Sequence, residues 1–157
     1  MLKLVAALLA LSLCALAQNQ APTYIAFKVT TLSTTAETVT VQQPATGAKR
    51  VLLKSASIYC EEACVVTFKR SGTAATTTAL AVIPQSVSFP AATATAFSAS
   101  NVGSGTTLYQ HSIGATSTEV FDLEGIELSG RSTASNFSVS TNTISGEVRI
   151  QIVWREQ

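Results

Sequence analysis

The clearest pattern in the chain is the alternation of apolar and polar positions over residues 147–155. Apolar side chains occupy every second position there, and most of the intervening positions carry charged or amide side chains. Successive side chains of a strand point to opposite faces of a sheet, so this alternation predicts a strand with one buried face. We expect that face to consist of Val148, Ile150, Ile152 and Trp154.

A second alternating pattern surrounds two cysteines. Residues 50–70 contain two strand-like runs that meet at a short turn with Cys60 on one side and Cys64 on the other. If the runs pair antiparallel about this turn, Cys60 lies opposite Cys64 and Ile58 lies opposite Val66 on one face. The sequence therefore predicts a β-hairpin closed by a Cys60–Cys64 disulfide, in which the bond fixes the register of the strands.

Residues 24–30 also alternate, which predicts a half-buried strand whose apolar face is formed by Ile25, Phe27 and Val29. Between residues 119 and 128 the apolar positions change parity at Gly125. One extra residue beside a glycine is typical of a β-bulge, so we expect the strand to be interrupted there.

Two Thr-rich segments, residues 31–41 and 76–83, carry one charged residue between them, Glu37. Natural sheets protect their edges with charge, so these segments are predicted to form open edges. Residues 84–105 show no sustained period and are expected to form a long loop, for which two interpretations are open. This loop is either a crossover that its phenylalanines pack against the rest of the domain, or a functional loop.

Together these patterns give eight or nine short strands and no helical period after residue 17. They predict an all-β fold, an antiparallel β-sandwich of the jelly-roll type, as one domain over residues 24–157. The plan resembles, in architecture alone, the jelly-roll sandwiches of secreted carbohydrate-binding modules, phage appendage heads and tumour-necrosis-factor-like trimers. No motif ties the chain to any of these families.

The first 17 residues have a basic start, an apolar run and small residues at Ala15 and Ala17. This pattern predicts a cleaved N-terminal signal peptide helix over residues 1–17 and a secreted mature chain that is extracellular, at the cell surface or periplasmic. A lipoprotein signal ending at Cys14 is the alternative. Residues 18–23 are predicted to be an extended N-terminal arm, and no membrane span is expected in the mature chain.

The charge and the hydroxyl content of the chain indicate which classes of partner to expect. The formal net charge is +1, and charged residues make up 12% of the chain, so no attraction to nucleic acid is expected. After residue 17 the chain contains 22 threonines and 17 serines, which must supply most of its solubility. A surface of this kind repels its own copies weakly, so a homo-oligomer or filament is one expected state.

Candidate chemistry is sparse. The only histidine is His111, and its neighbour Ser112 points the other way along a strand and lacks a G-x-S-x-G turn. Cys60 and Cys64 cannot complete a four-ligand zinc site with one histidine. We therefore expect a protein that is not an enzyme and that has no catalytic residues, metal or cofactor.

The sequence is compatible with two functions. The first is a secreted structural or self-assembling subunit, and the alternative is a module that binds glycan or another surface ligand. The residues predicted for a ligand or assembly surface are aromatic: Tyr24, Tyr59, Tyr109, Phe89 and Phe97. Asn136 lies in a formal glycosylation sequon within a predicted strand.

Overall fold

The chain folds almost entirely into strands. The computed structural model describes residues 21–45, 49–70, 78–100, 104–129, 134–142 and 144–157. These ranges contain twelve strands: β1 (Thr23–Thr35), β2 (Thr38–Gln43), β3 (Arg50–Cys60), β4 (Cys64–Arg70), β5 (Thr78–Leu80), β6 (Val82–Pro84), β7 (Thr95–Ala99), β8 (Thr106–Ile113), β9 (Ser117–Asp122), β10 (Glu127–Ser129), β11 (Ser135–Thr141) and β12 (Ile144–Glu156). Within these ranges no helix has the length and hydropathy needed to cross a membrane.

The strands form two antiparallel six-stranded sheets packed as a sandwich. Sheet I has the order β10-β3-β12-β1-β6, and β9 also pairs with β3. Sheet II has the order β5-β7-β2-β11-β4-β8. The predicted all-β sandwich is confirmed, with more strands than expected because three of them are only three residues long.

Strand β12 lies between β1 and β3 in sheet I and confirms the alternation predicted for it. Val148, Ile150, Ile152 and Trp154 are buried and belong to one apolar core that both sheets line. The Trp154 ring packs beside the ring of Tyr24, with 6.1 Å between the centroids. Trp154 is therefore a core residue, as the sequence indicates.

The Cys60–Cys64 disulfide is present, but the hairpin predicted around it is wrong. β3 pairs with strands of sheet I, whereas β4 pairs with β11 and β8 in sheet II. Ile58 and Val66 are both buried, and they reach the core from opposite sheets. Alternation identifies the buried side chains but not the neighbouring strand, because facing sheets bury the same residues as a hairpin would. The disulfide thus ties the two sheets together at the connection between them.

Strand β1 is half-buried as expected, but its buried face is the opposite one. Tyr24 and Ala26 are fully buried, whereas Phe27 is 46% exposed and Val29 is 45% exposed. The Tyr24 hydroxyl donates a hydrogen bond to the carbonyl of Pro90 at 2.9 Å. This bond satisfies the polar end of the ring and allows a tyrosine to lie inside.

Strand β2 is central in sheet II, so the open edge predicted at residues 31–41 is wrong for this strand. It pairs with β11 on one side and β7 on the other. Thr38 and Thr40 are buried, and their hydroxyls bond those of Ser140 and Ser138 at 2.8 Å each. A threonine-rich strand can lie inside a sheet when its hydroxyls pair with one another.

The segment predicted as one strand at residues 76–83 divides, where it is described, into two edge strands. β5 ends sheet II, and β6 ends sheet I beside β1. The loop expected at residues 84–105 is corrected in part, because it contains β7, which pairs with β2 and β5.

The interruption predicted at Gly125 is confirmed, but the register contains two extra residues there and not the single extra residue of a bulge. β9 and β10 both pair with β3, and the chain between them makes a tight turn. Leu123 N–H donates to the carbonyl of Lys54, and Leu53 N–H donates to the carbonyl of Ile126, each at 3.0 Å. Gly125 has a φ of 93°, a conformation that glycine adopts without strain.

The predicted signal peptide and residues 18–20 of the predicted arm lie outside the described residues. The rest of the arm prediction is corrected, because Thr23 already belongs to β1. The carbonyl of Pro22 also accepts a hydrogen bond from the N–H of Glu156 at 3.0 Å. The chain is therefore held against β12 from residue 22 onward.

Candidate functional site

The outer face of sheet I, called the open face below, exposes apolar and aromatic side chains. Along it Phe27 neighbours Gln151, and Val29 neighbours Arg149 and then Tyr59 across three strands. Val120 on β9 is 71% exposed. Because these side chains follow alternate positions of adjacent strands, they stand on one surface.

Tyr59 and Arg149 form a connected pair on the open face. The guanidinium carbon of Arg149 lies 5.1 Å from the centre of the Tyr59 ring. Arg149 Nε also donates to the carboxylate of Glu147 at 2.5 Å. The contacts hold the guanidinium in place and balance its charge with that of Glu147.

A shallow pocket of about 230 Å³ lies beside this pair. Its lining mixes two aromatic rings with polar side chains: Phe27, Ser57, Tyr59, Thr118, Arg149 and Gln151. Small-molecule sites have this character, with apolar contact surface and a few polar groups that set the orientation of the ligand.

Strand β1 also has an open backbone edge next to this face. In an antiparallel strand, the N–H and C=O of one residue point to the same side. The Thr23 carbonyl accepts from Gln85 N–H on the β6 side, so alternate residues onward point to that side. β6 pairs only as far as Ala26, and no described strand pairs with residues 27–31 along this edge. Phe27, Val29 and Thr31 therefore direct their backbone groups outward.

A cleft opens on the other side of the sandwich, between β8 and β9. It has a volume of about 180 Å³, and its lining is largely apolar: Phe68, Leu108, Tyr109, Phe121, Asp122, Leu123 and Ile126. At its rim the Tyr109 hydroxyl lies 3.1 Å from His111 Nδ1, and His111 Nε2 lies 2.8 Å from Glu119. The His111–Glu119 contact joins the edges of the two sheets.

The five aromatic residues predicted for a ligand or assembly surface do not form one surface. Tyr59 lies on the open face, and Tyr109 lies at the cleft in sheet II. Tyr24 is buried, so its place in an exposed surface is wrong. Phe89 and Phe97 are partly buried, in a turn and on β7 respectively.

In the ranges that the structure covers, no three His, Cys, Asp or Glu side chains are placed to hold a metal ion together. Glu124 forms an ion pair with Lys54, and its N–H donates to Asp122 at 2.9 Å. Asn136 of the sequon is 5% exposed in β11, so a glycan cannot be attached to it in the folded chain.

The pKa values of two buried groups are raised above their ordinary values. Burial raises the pKa of Glu37, and the nearby charge of Lys28 opposes this shift in part. Burial, together with the charge of Glu156, raises the pKa of the Tyr24 phenol. Both groups lie inside the fold, so their shifts concern stability and not an exposed site.

Sequence reasoning missed the exposure of Phe27 and Val29 and the partnership of Tyr59 with Arg149. The alternation of residues 24–30 contains two apolar faces, and nothing local to it tells which one faces the core. The signal that was available is Lys28, which lies on the inner side of β1 and is only partly buried there.

Comparison of the chain with family models, curated proteins and solved structures finds no match.

Proposed function

We propose that the protein is an exported, non-catalytic structural subunit that associates with copies of itself through the open edge of β1. The observation that carries this proposal is the edge of β1 at residues 27–31, with which no strand in the described ranges pairs, and beside which Phe27 and Val29 are exposed. A free strand edge next to an apolar surface is a typical site for the addition of another strand.

A second copy fits this edge for two reasons. Two β1 strands related by a two-fold axis run antiparallel, so each offers the other the same alternating donors and acceptors. Charge does not prevent their approach, because the only charged residue of β1 is Lys28, which lies on the inner side of the strand. The formal net charge of the chain is only +1.

Export and jelly-roll connectivity are part of the same proposal. The apolar pattern of residues 1–17 and the Cys60–Cys64 disulfide support export, since disulfides persist in oxidising compartments. The chain changes sheet at most of its connections, as jelly rolls do. Glycan binding, the alternative function, depends on a pocket and would not use the open edge of β1.

The experiment measures particle mass by light scattering across a concentration series of the mature chain. The wild-type mass should rise with concentration. Val29→Lys should shift the association at least about tenfold to higher concentration, because it puts like charges on adjoining strands. Val120→Lys is the matched control, since Val120 is an exposed valine on the same face but on β9. It should associate like the wild type.

A backbone variant separates strand addition from simple apolar contact. Val29→Pro removes an N–H that points to the open edge, whereas Thr30→Pro removes one that bonds β12. We expect Val29→Pro to fold and stay monomeric and Thr30→Pro to be destabilised. A wild-type chain that remains monomeric at its highest soluble concentration would overturn the proposal.

A further inference from the structure

The pocket on the open face places two aromatic rings on either side of a polar floor. Phe27 stands on β1 and Tyr59 on β3, and both strands neighbour β12, which carries Gln151 between them. Two strand spacings separate β1 from β3 by about 10 Å. The two aromatic residues are also offset by two positions along the strands, because Phe27 aligns with Gln151 and Tyr59 aligns with Arg149. We propose that this pocket binds a single ring of a neutral sugar.

The chemistry of a pyranose ring matches this lining. A pyranose has a flat face of C–H groups, which packs against an aromatic ring, and a rim of hydroxyls, which both donate and accept hydrogen bonds. Phe27 supplies one apolar contact, and Tyr59 supplies the other with the part of its ring that Arg149 does not cover. Ser57, Thr118 and Gln151 carry hydroxyl and amide groups, which donate and accept as sugar hydroxyls require.

The charges of the pocket favour a neutral ligand. Arg149 is the one charged residue of the described lining, and its Nε already donates to Glu147 at 2.5 Å. Its remaining N–H groups are suited to hydroxyl oxygens, while the adjacent Glu147 carboxylate would repel a uronic acid. The volume of about 230 Å³ suits one ring and not a longer enclosed chain.

This site does not rest on the proposed self-association. Strand addition at β1 extends sheet I within its own plane, whereas the pocket opens above that plane. Loss of one activity therefore leaves the other measurable, and Tyr59 on β3 is remote from the β1 edge.

The test is a titration of the monomeric Val29→Pro protein, which adds no charge beside Arg149, or of the wild type if it is monomeric. The probes are the methyl pyranosides of glucose, galactose, mannose and N-acetylglucosamine, with galacturonic acid as the charged comparison. Amide and aromatic shifts in NMR spectra report the binding. We expect one or more neutral probes to bind with a Kd on the order of millimolar and to shift Tyr59 and Gln151, as few contacts permit no tighter binding.

Variants then assign the site. Tyr59→Ala should weaken binding about tenfold, whereas Tyr59→Phe should stay within about threefold, because stacking and not the hydroxyl provides the contact. Tyr109→Ala, which removes a tyrosine 52% exposed in sheet II, is the matched control and should bind as before. No binding by any neutral probe, stronger binding of galacturonic acid, or equal losses in Tyr59→Ala and Tyr109→Ala would each overturn the proposal.

Discussion

The two sheets present outer faces of opposite character. At the centre of sheet II the outward side chains are short hydroxyls, and Thr38, Thr40 and Ser140 are fully buried there. On sheet I the corresponding positions carry Phe27, Tyr59 and other long side chains that remain in contact with solvent. The centre of sheet II is therefore closed on both sides, whereas sheet I is closed only toward the core.

The difference shows how side-chain chemistry decides the role of a sheet face. Short hydroxyls pair across neighbouring strands, as Thr40 does with Ser138, and leave no group that needs an outside partner. Aromatic rings and a guanidinium extend beyond the backbone and offer contact area. We infer that sheet II contributes mainly to stability, whereas sheet I is the sheet on which both proposed interactions are placed.

A lysine placed on each of the two faces gives the largest expected difference in the free energy of unfolding. Thr40→Lys buries an ammonium with no carboxylate partner among the described contacts of Thr40, so it should lower the free energy of unfolding by about 3–5 kcal/mol or prevent folding. Gln151→Lys, at a central position of the open face, should change it by no more than about 0.5 kcal/mol. Urea denaturation followed by Trp154 fluorescence measures both. Similar losses in the two variants would contradict the difference between the faces.

Removal of the disulfide tests how far the two sheets depend on one another. Replacing both Cys60 and Cys64 with serine should lower the free energy of unfolding by about 2 kcal/mol and leave the fold intact, because the bond closes a short loop. Reduced wild-type protein should show the same loss. Mass spectrometry of the unreduced protein should give a mass two hydrogens below that of the dithiol, and full alkylation without reductant would refute the bond.

The smallest expected effect is the pH dependence of stability that comes from Glu37, which is buried between β1 and β2. Its raised pKa means that the folded chain binds the proton more tightly than the unfolded chain does. The stabilisation is thus fully present below the ordinary value of 4.5 and is lost as the pH rises toward the raised pKa.

Glu37→Gln should remove this dependence. Its free energy of unfolding should fall less than that of the wild type as the pH rises from about 4 to about 8. Glu62→Gln, at an exposed glutamate, is the control and should follow the wild-type profile. Parallel profiles for the wild type and Glu37→Gln would show that Glu37 does not titrate differently on folding.

Much of the sandwich follows from sequence alone where one face of a strand is clearly apolar. The alternation ending at Trp154 identifies the inner face of β12, and the parity change at Gly125 locates the interruption between β9 and β10. Both signals are local, because each depends on which neighbours in sequence share a face.

The arrangement of strands could not be predicted in the same way. Alternation around Cys60 and Cys64 is equally compatible with a hairpin and with two facing sheets, and the choice depends on β12, which is distant in sequence. The burial of Thr40 depends on Ser138, which is 98 residues away. The pocket was missed for the same reason, since Phe27, Tyr59 and Gln151 meet only after three distant strands pair.

The central position of β12 in sheet I also bears on the order of events during biosynthesis. β1 and β3 are both made before β4–β11, yet each takes its longest pairing from β12, which follows them all. Neither early strand can complete its ladder while the ribosome is still translating the intervening segments, so sheet I stays incomplete until β12 is made. β12 therefore completes the sheet that β1 begins.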